Sequence, residues 1–176
     1  MCFDRSMTHA ATGLIVEVVH HQLRERAQAI GWRLTEDPLA DVHLIADSQR
    51  IEPDVEGLAA RFVVPAATRE LWLVSETSVP KHIGRNSDER ILGICLTDLS
   101  IDDGLSPKRG LALDDPRLGL GFHDVEKEPS GCQRWTSGRV RLPEELWAGC
   151  RGTFFLRVDL AGPALPRWVV PDHHQL

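Results

Sequence analysis

With 176 residues, 42 % of them apolar, and a formal net charge of −6, the chain has the make-up of a globular protein with one domain's worth of core. Its basic residues are scattered, as Lys108/Arg109 and Arg139/Arg141 show, and form no stripe, which argues against nucleic acid as a partner. No apolar run approaches the roughly 20 residues that a membrane helix needs, so no membrane association is expected.

The opening Met1-Cys2-Phe3-Asp4-Arg5 lacks the basic-then-apolar layout of a signal peptide, which points to the cytoplasm; secretion with a parent protein stays open. Residues 1–13 carry no pattern and read as a lead-in. From Leu14 to Ile30 the apolar residues Ile15, Val19, Leu23, Ala27 and Ile30 recur at three- and four-residue steps, which predicts one face of an amphipathic helix, stopped by Gly31. Val42 to Ala46 then reads as a strand, Asp47-Ser48-Gln49 as a turn, and Arg50 to Glu52 as the return. This small hairpin is expected to lie outside the core and, with the helix, to form an extension over residues 14–53, ended by Pro53.

Residues 54–171 read as all-β, with 172–176 as a tail. Leu58, Ala60, Phe62 and Val64 alternate with polar or small residues, and Leu71-Trp72-Leu73-Val74 is apolar on both faces, as a central strand would be. Arg90 to Ile101 predicts one long strand, with Leu92, Ile94 and Leu96 facing one way and Cys95, Leu99 and Ile101 the other. Lys81 to Glu89 reads as a surface loop, and residues 105–118 as a long loop with a short strand at Leu111 to Leu113. Arg139 to Leu142 follows as a strand, Glu144 to Trp147 as one helical turn, and Trp168 to Val170 as a last strand. Phe154, Leu156, Val158 and Leu160 alternate against Phe155, Arg157 and Asp159. Some eight short strands with turn chemistry between them predict a mainly β fold, an antiparallel jelly-roll-like sandwich with the N-terminal helix and hairpin packed against it.

The candidate site lies on Gly121 to Gly138. Two strand-like arms flank Lys127 to Gly131, a loop with Pro and Gly inside it, and predict a β-hairpin. Eight residues apart, Glu126 and Arg134 are expected to share a face and pair. Trp135 would supply an apolar platform, and His123 and Thr136 hydrogen bonds. Aromatic ring, carboxylate and guanidinium together suit a sugar-like polyol, and the same set suits the closure of a sandwich core.

Other chemistry is poorly supported. The eight histidines show no H-x-H, H-E-x-x-H or facial-triad layout, so no metal is expected, and no cofactor motif is present. Cys2, Cys95, Cys132 and Cys150 give no C-x-x-C pair; Cys95 reads as a small buried apolar residue, and a Cys132–Cys150 disulfide needs an oxidising compartment that nothing indicates. Cys132 and His123 could approach across the hairpin, but no third group orients them. Asp114-Asp115 in a loop, and Asp124 and Glu126 as alternate residues of one strand, are the candidate glycosidase carboxylate pairs, and nothing else points to the cleft that this chemistry needs.

Two sets of segments carry a resemblance. Leu23-Arg24-Glu25-Arg26-Ala27, Gly31-Trp32-Arg33-Leu34-Thr35-Glu36-Asp37-Pro38 and His43-Leu44 resemble the stretch that follows the Hint domain in bacterial Hedgehog/intein-type proteins. Phe62-Val63-Val64-Pro65, Leu71-Trp72-Leu73-Val74-Ser75, Leu92-Gly93-Ile94, Gly121-Phe122-His123, Arg134-Trp135-Thr136 and Leu142-Pro143 resemble the C-terminal region of the same proteins. Similar hairpins also occur beside bacterial glycosyltransferase domains. The resemblance spans roughly residues 14–170. It does not extend to the Hint domain's nucleophile and assisting histidines, so it implies an accessory module without self-splicing activity.

The resulting expectation is a non-catalytic accessory or binding module, not an enzyme, with a glycan or another protein domain as partner and His123, Glu126, Arg134, Trp135 and Thr136 at the site. A purely structural or protein-interaction sandwich is the alternative, and an enzyme acting on glycosyl bonds ranks last. Oligomeric state is not legible in the sequence.

Overall fold

The computed structural model describes residues 18–19, 21–84, 86–129 and 131–170. The expected lead-in and tail lie outside them, as does the first part of the helix. Strand accounts for 43 % of the chain and helix for 12 %, so the fold is mainly β. Helix α1 (residues 21–29) ends where Gly31 turns left-handed, at φ 93°; Gly31 N–H then meets the Gln28 carbonyl and Trp32 N–H the Ala27 carbonyl. This reciprocal pair satisfies carbonyls that a helix end leaves orphaned.

Among the described residues thirteen short strands follow: β1 (Arg33–Thr35), β2 (His43–Ala46), β3 (Gln49–Ile51), β4 (Asp54–Glu56), β5 (Ala59–Pro65), β6 (Leu71–Val74), β7 (Cys95–Asp102), β8 (Arg109–Gly110), β9 (Phe122–Glu128), β10 (Gly131–Thr136), β11 (Arg139–Leu142), β12 (Thr153–Leu160) and β13 (Arg167–Val169). Pro80–Ile83 and Glu144–Leu146 are 3₁₀ turns. All pairings are antiparallel. One sheet runs β4-β5-β12-β7-β10-β9 with β8 beside β7, a second runs β11-β6-β2-β3, and β1 with β13 forms a separate ribbon. A single core joins the two larger sheets in a sandwich-like arrangement. Phe62, Phe154, Leu156 and Val158 come from one side, and Leu44, Leu71, Leu73 and Val140 from the other.

Three expectations change. The residue 43–51 hairpin is not an outlying extension: β2 pairs with both β3 and β6, and Leu44 is fully buried. A boundary near residue 53 would therefore cut through the second sheet. The helix, in turn, is not packed against the sandwich by its apolar stripe. Leu23 is 55 % and Ile30 71 % exposed, no residue of α1 enters the core, and Arg24 reaches the Ile83 carbonyl from its side. The two sheets and the loops that carry Leu113, Leu118 and Trp147 close the core without it.

The third change concerns β7. It starts at Cys95, not Arg90, and a bulge at Thr97 shifts the register against β12, from Asp159↔Asp98 to Leu160↔Leu96. One extra residue reverses the in–out alternation. Leu96, Leu99 and Ile101 therefore all enter the core, and Cys95 falls outside it. Leu111 and Leu113 are buried, as a strand there would require, but the pairing with β7 is made by Arg109 and Gly110 instead.

Candidate functional site

The anchor hairpin is present as β9 and β10, with a tighter turn than expected. Gly131 pairs with Glu128, leaving only residues 129 and 130 between the strands. This sets Gln133 opposite Glu126 and Arg134 opposite Val125. Cross-strand partners share a face and sequence neighbours do not, so Glu126 and Arg134 lie on opposite faces. The expected ion pair is not made.

Each side chain has other work. Glu126 accepts from Arg90 Nη1 at 3.1 Å and from Gln133 Nε2 at 3.2 Å. Arg90 also forks onto Asp88, and that guanidinium, with the Arg90 amide, holds the Asp88 carboxyl below its ordinary value. Arg134 donates from Nε to the His123 carbonyl at 2.6 Å and from Nη1 to the Leu113 carbonyl at 2.7 Å, with its guanidinium 5.1 Å from the Phe122 ring centre. It ties the loop before β9 to the hairpin. Thr136 is 2 % exposed; its hydroxyl accepts from the Ile94 amide at 3.0 Å while its backbone exchanges bonds with Gly93 and Ile94. His123 donates through Nε2 to the Ile91 carbonyl at 2.9 Å. Trp135 is half-buried and pairs with Cys95, whose thiol burial pushes up to about 12.

The five candidates thus share one hairpin, but their polar atoms pin the 90–94 segment, the 113 loop and the hairpin itself. Arg90, Gln133 and the Ile91 and Ile94 backbone complete this network, and only pairing geometry reveals them. Cys132 sits opposite Lys127, away from His123, and Cys132 and Cys150 are free thiols. Glu126 is engaged by Arg90 and Gln133, whereas Asp124 is exposed, so the two do not form a carboxylate pair over a cleft. Among the described residues no group of three or more His, Cys, Asp or Glu could hold a metal ion.

The residue types sought at the hairpin occur together elsewhere, on the open face of the larger sheet. Registers place Arg61, Arg157, Ser100 and Gly110 in one row across β5, β12, β7 and β8, and Val63, Phe155 and Asp102 in the next row. Of these, Arg61, Arg157, Ser100, Phe155 and Asp102, with Ile101 and Lys108, line a depression of about 300 Å³. The Arg61 guanidinium lies over the Phe155 ring, 3.8 Å from its centre. Arg157 forks onto Asp159 at 2.8 and 3.0 Å, and Lys108 stands 3.8 Å from Asp98. Arg61 has no carboxylate within 4 Å among the described residues.

Ser100 forms the floor. It is 2 % exposed, and its hydroxyl has no hydrogen-bond partner. Its cross-strand neighbour is Gly110, where even an added Cβ would meet nothing within 4 Å. No family model, no curated protein and no solved structure matches the chain. The site is therefore read from its chemistry alone. An aromatic face, a guanidinium and a carboxylate in an open depression can stack on an apolar ring face and hydrogen-bond its polar edge. Asp102 is the one carboxylate in the lining, and glycosidic cleavage takes two flanking the bond. Among the described residues, no helix is long and apolar enough to cross a membrane.

Proposed function

We propose that this chain is a non-catalytic, jelly-roll-like accessory module of the kind found beside Hint domains or glycosyltransferases, and that it recognises a glycan on the open face of the larger sheet. The short sequence segments described above support the association. The observation that carries the site is the Arg61–Phe155 stack next to Asp102. A pyranose presents an apolar C–H face and an edge of hydroxyls that donate and accept. Sliding the Arg61 guanidinium off Phe155 opens the ring to the C–H face. Arg61 and Asp102 then serve opposite ends of the hydroxyl edge.

The hairpin favours the second reading for itself. Its polar groups satisfy backbone atoms of the fold, as those of a structural closure do.

A glycan array probed with the full chain, followed by titration of any retained sugar against variants, tests the proposal. Phe155→Ala should weaken binding at least tenfold and Glu126→Gln should leave it unchanged. Retention of no glycan refutes the reading. Binding that survives Phe155→Ala but is lost in Glu126→Gln returns the site to the hairpin. Ser100→Ala should leave binding unchanged and the protein equally or more stable, because it removes an unsatisfied buried hydroxyl.

A further inference from the structure

No residue of α1, β1 or β13 belongs to the core shared by the two sheets or packs against it, whereas Leu39 and Ala40 on one side and Ala164 on the other do. β1 and β13 pair only with each other. The Ala164 N–H donates to the Pro38 carbonyl at 2.8 Å, so the two chain segments are tied together where they leave the sandwich. Beyond that tie, among the described residues, three polar contacts fasten the ribbon and the helix to the body. Arg167 Nη2 meets Glu76, Ser78 Oγ donates to the Pro166 carbonyl at 2.6 Å, and Arg24 reaches the Ile83 carbonyl. Apolar contact along this seam is incomplete: Val79, Ile83 and Ile91 from the body and Trp168 from β13 line a cavity of about 250 Å³.

We propose that β1, β13 and α1 form a flap, hinged at Pro38 and Ala164 and latched by Arg167 on Glu76, that swings off the sandwich as one unit while the sandwich stays folded. Three features favour that motion. A unit with no residue in the core separates without breaking the core, so its opening lies below global unfolding in free energy. Arg167 is 7 % exposed, and its Nε and Nη1 are buried with no hydrogen-bond partner; opening gives these donors the water that burial denies them. Asp37, at 3.3 Å from Nη2, lies on the flap's own side of the hinge, so Arg167 keeps one counter-charge when it leaves Glu76.

Native-state hydrogen exchange of the full chain in dilute urea, below the unfolding transition, tests the motion. The amides of β1 and β13 should exchange through one shared opening, at least tenfold faster than those of β12 and with little dependence on urea, because the opening exposes little surface. Glu76→Gln removes the charge of the latch at a half-exposed position and keeps its shape; it should speed exchange of β1 and β13 at least fivefold and leave β12 unchanged. A swinging flap is told from simple fraying of the ribbon at Ile83, which lines the seam and is 5 % exposed. The thiol of Ile83→Cys, followed in the peptide that carries it, should react with iodoacetamide faster in the Glu76→Gln background, by about the factor seen for the ribbon amides. Exchange of β1 and β13 at the rate of β12 overturns the proposal, as does Glu76→Gln speeding β12 equally, or labelling at position 83 that Glu76→Gln leaves unchanged.

Discussion

Replacing Arg134 by Met tests most directly what the hairpin is for. Arg134 makes two charge-assisted hydrogen bonds, to the His123 and Leu113 carbonyls, and no ion pair among the described residues. Hydrogen bonds to charged groups contribute about 1.5–3 kcal/mol each, toward the lower end here because the side chain is only half-buried. Methionine keeps the apolar stem over Phe122 and removes both bonds, so Arg134→Met should cost about 2–4 kcal/mol, read as a lower urea midpoint at unchanged slope. The loss should be local in origin, with Leu113 and its neighbours gaining amide exchange and protease sensitivity before the rest of the chain. Glu126→Gln, which touches Arg90 and Gln133 instead, should cost about 0–1 kcal/mol, as exposed pairs do. A double-mutant cycle on Glu126→Gln and Arg134→Met should then return a coupling near zero, because residues without shared partners add. A coupling above about 1 kcal/mol would mean that the two side chains meet. The register of β9 on β10 would then be wrong by one residue.

Leu156→Ala should cost about 2–5 kcal/mol in chemical denaturation, because Leu156 is fully buried in the core shared by both sheets; an unchanged midpoint would place β12 at the periphery. Gly121 has φ 87°, and a Cβ there would run into the Arg139 carbonyl, so Gly121→Ala should cost at least about 1–3 kcal/mol; a neutral effect would show that the approach to β11 is looser. At Asp37, burial raises the carboxyl pKa, but amide donations from Asp41 and Leu39 and the charge of Arg167 outweigh it and hold the group below its ordinary value. Its stabilisation is therefore complete above the unfolded pKa, near 3.9, and fades as pH falls through the lower folded value. Asp37→Asn should flatten the acid limb of the stability profile, and an identical limb in the variant would refute this.

Much of the fold follows from local pattern. The alternation of Phe154, Leu156, Val158 and Leu160 buries one face of β12 because side chains in a strand point to opposite sides, and no distant contact changes that. The helix before Gly31 and the turn after Pro143 are likewise set by short-range periodicity and backbone freedom. Parity and partnership are decided over longer range. The bulge at Thr97 is fixed by what β12 offers across the ladder, and it moved Leu99 and Ile101 to the same side as Leu96. Strand partners are chosen by the whole sheet, which is why β2 of the residue 43–51 hairpin became interior and the helix residues Leu23 and Ile30 stayed uncovered. A two-residue turn in place of a longer loop was enough to send Glu126 and Arg134 to opposite faces. The sequence supplied an aromatic ring, a guanidinium and a carboxylate, but only pairing brought together Arg61, Phe155, Asp102 and Ser100 from three strands up to some ninety residues apart in the chain. Local chemistry sets the alternation along each strand, and the ladder sets which rows of side chains become neighbours.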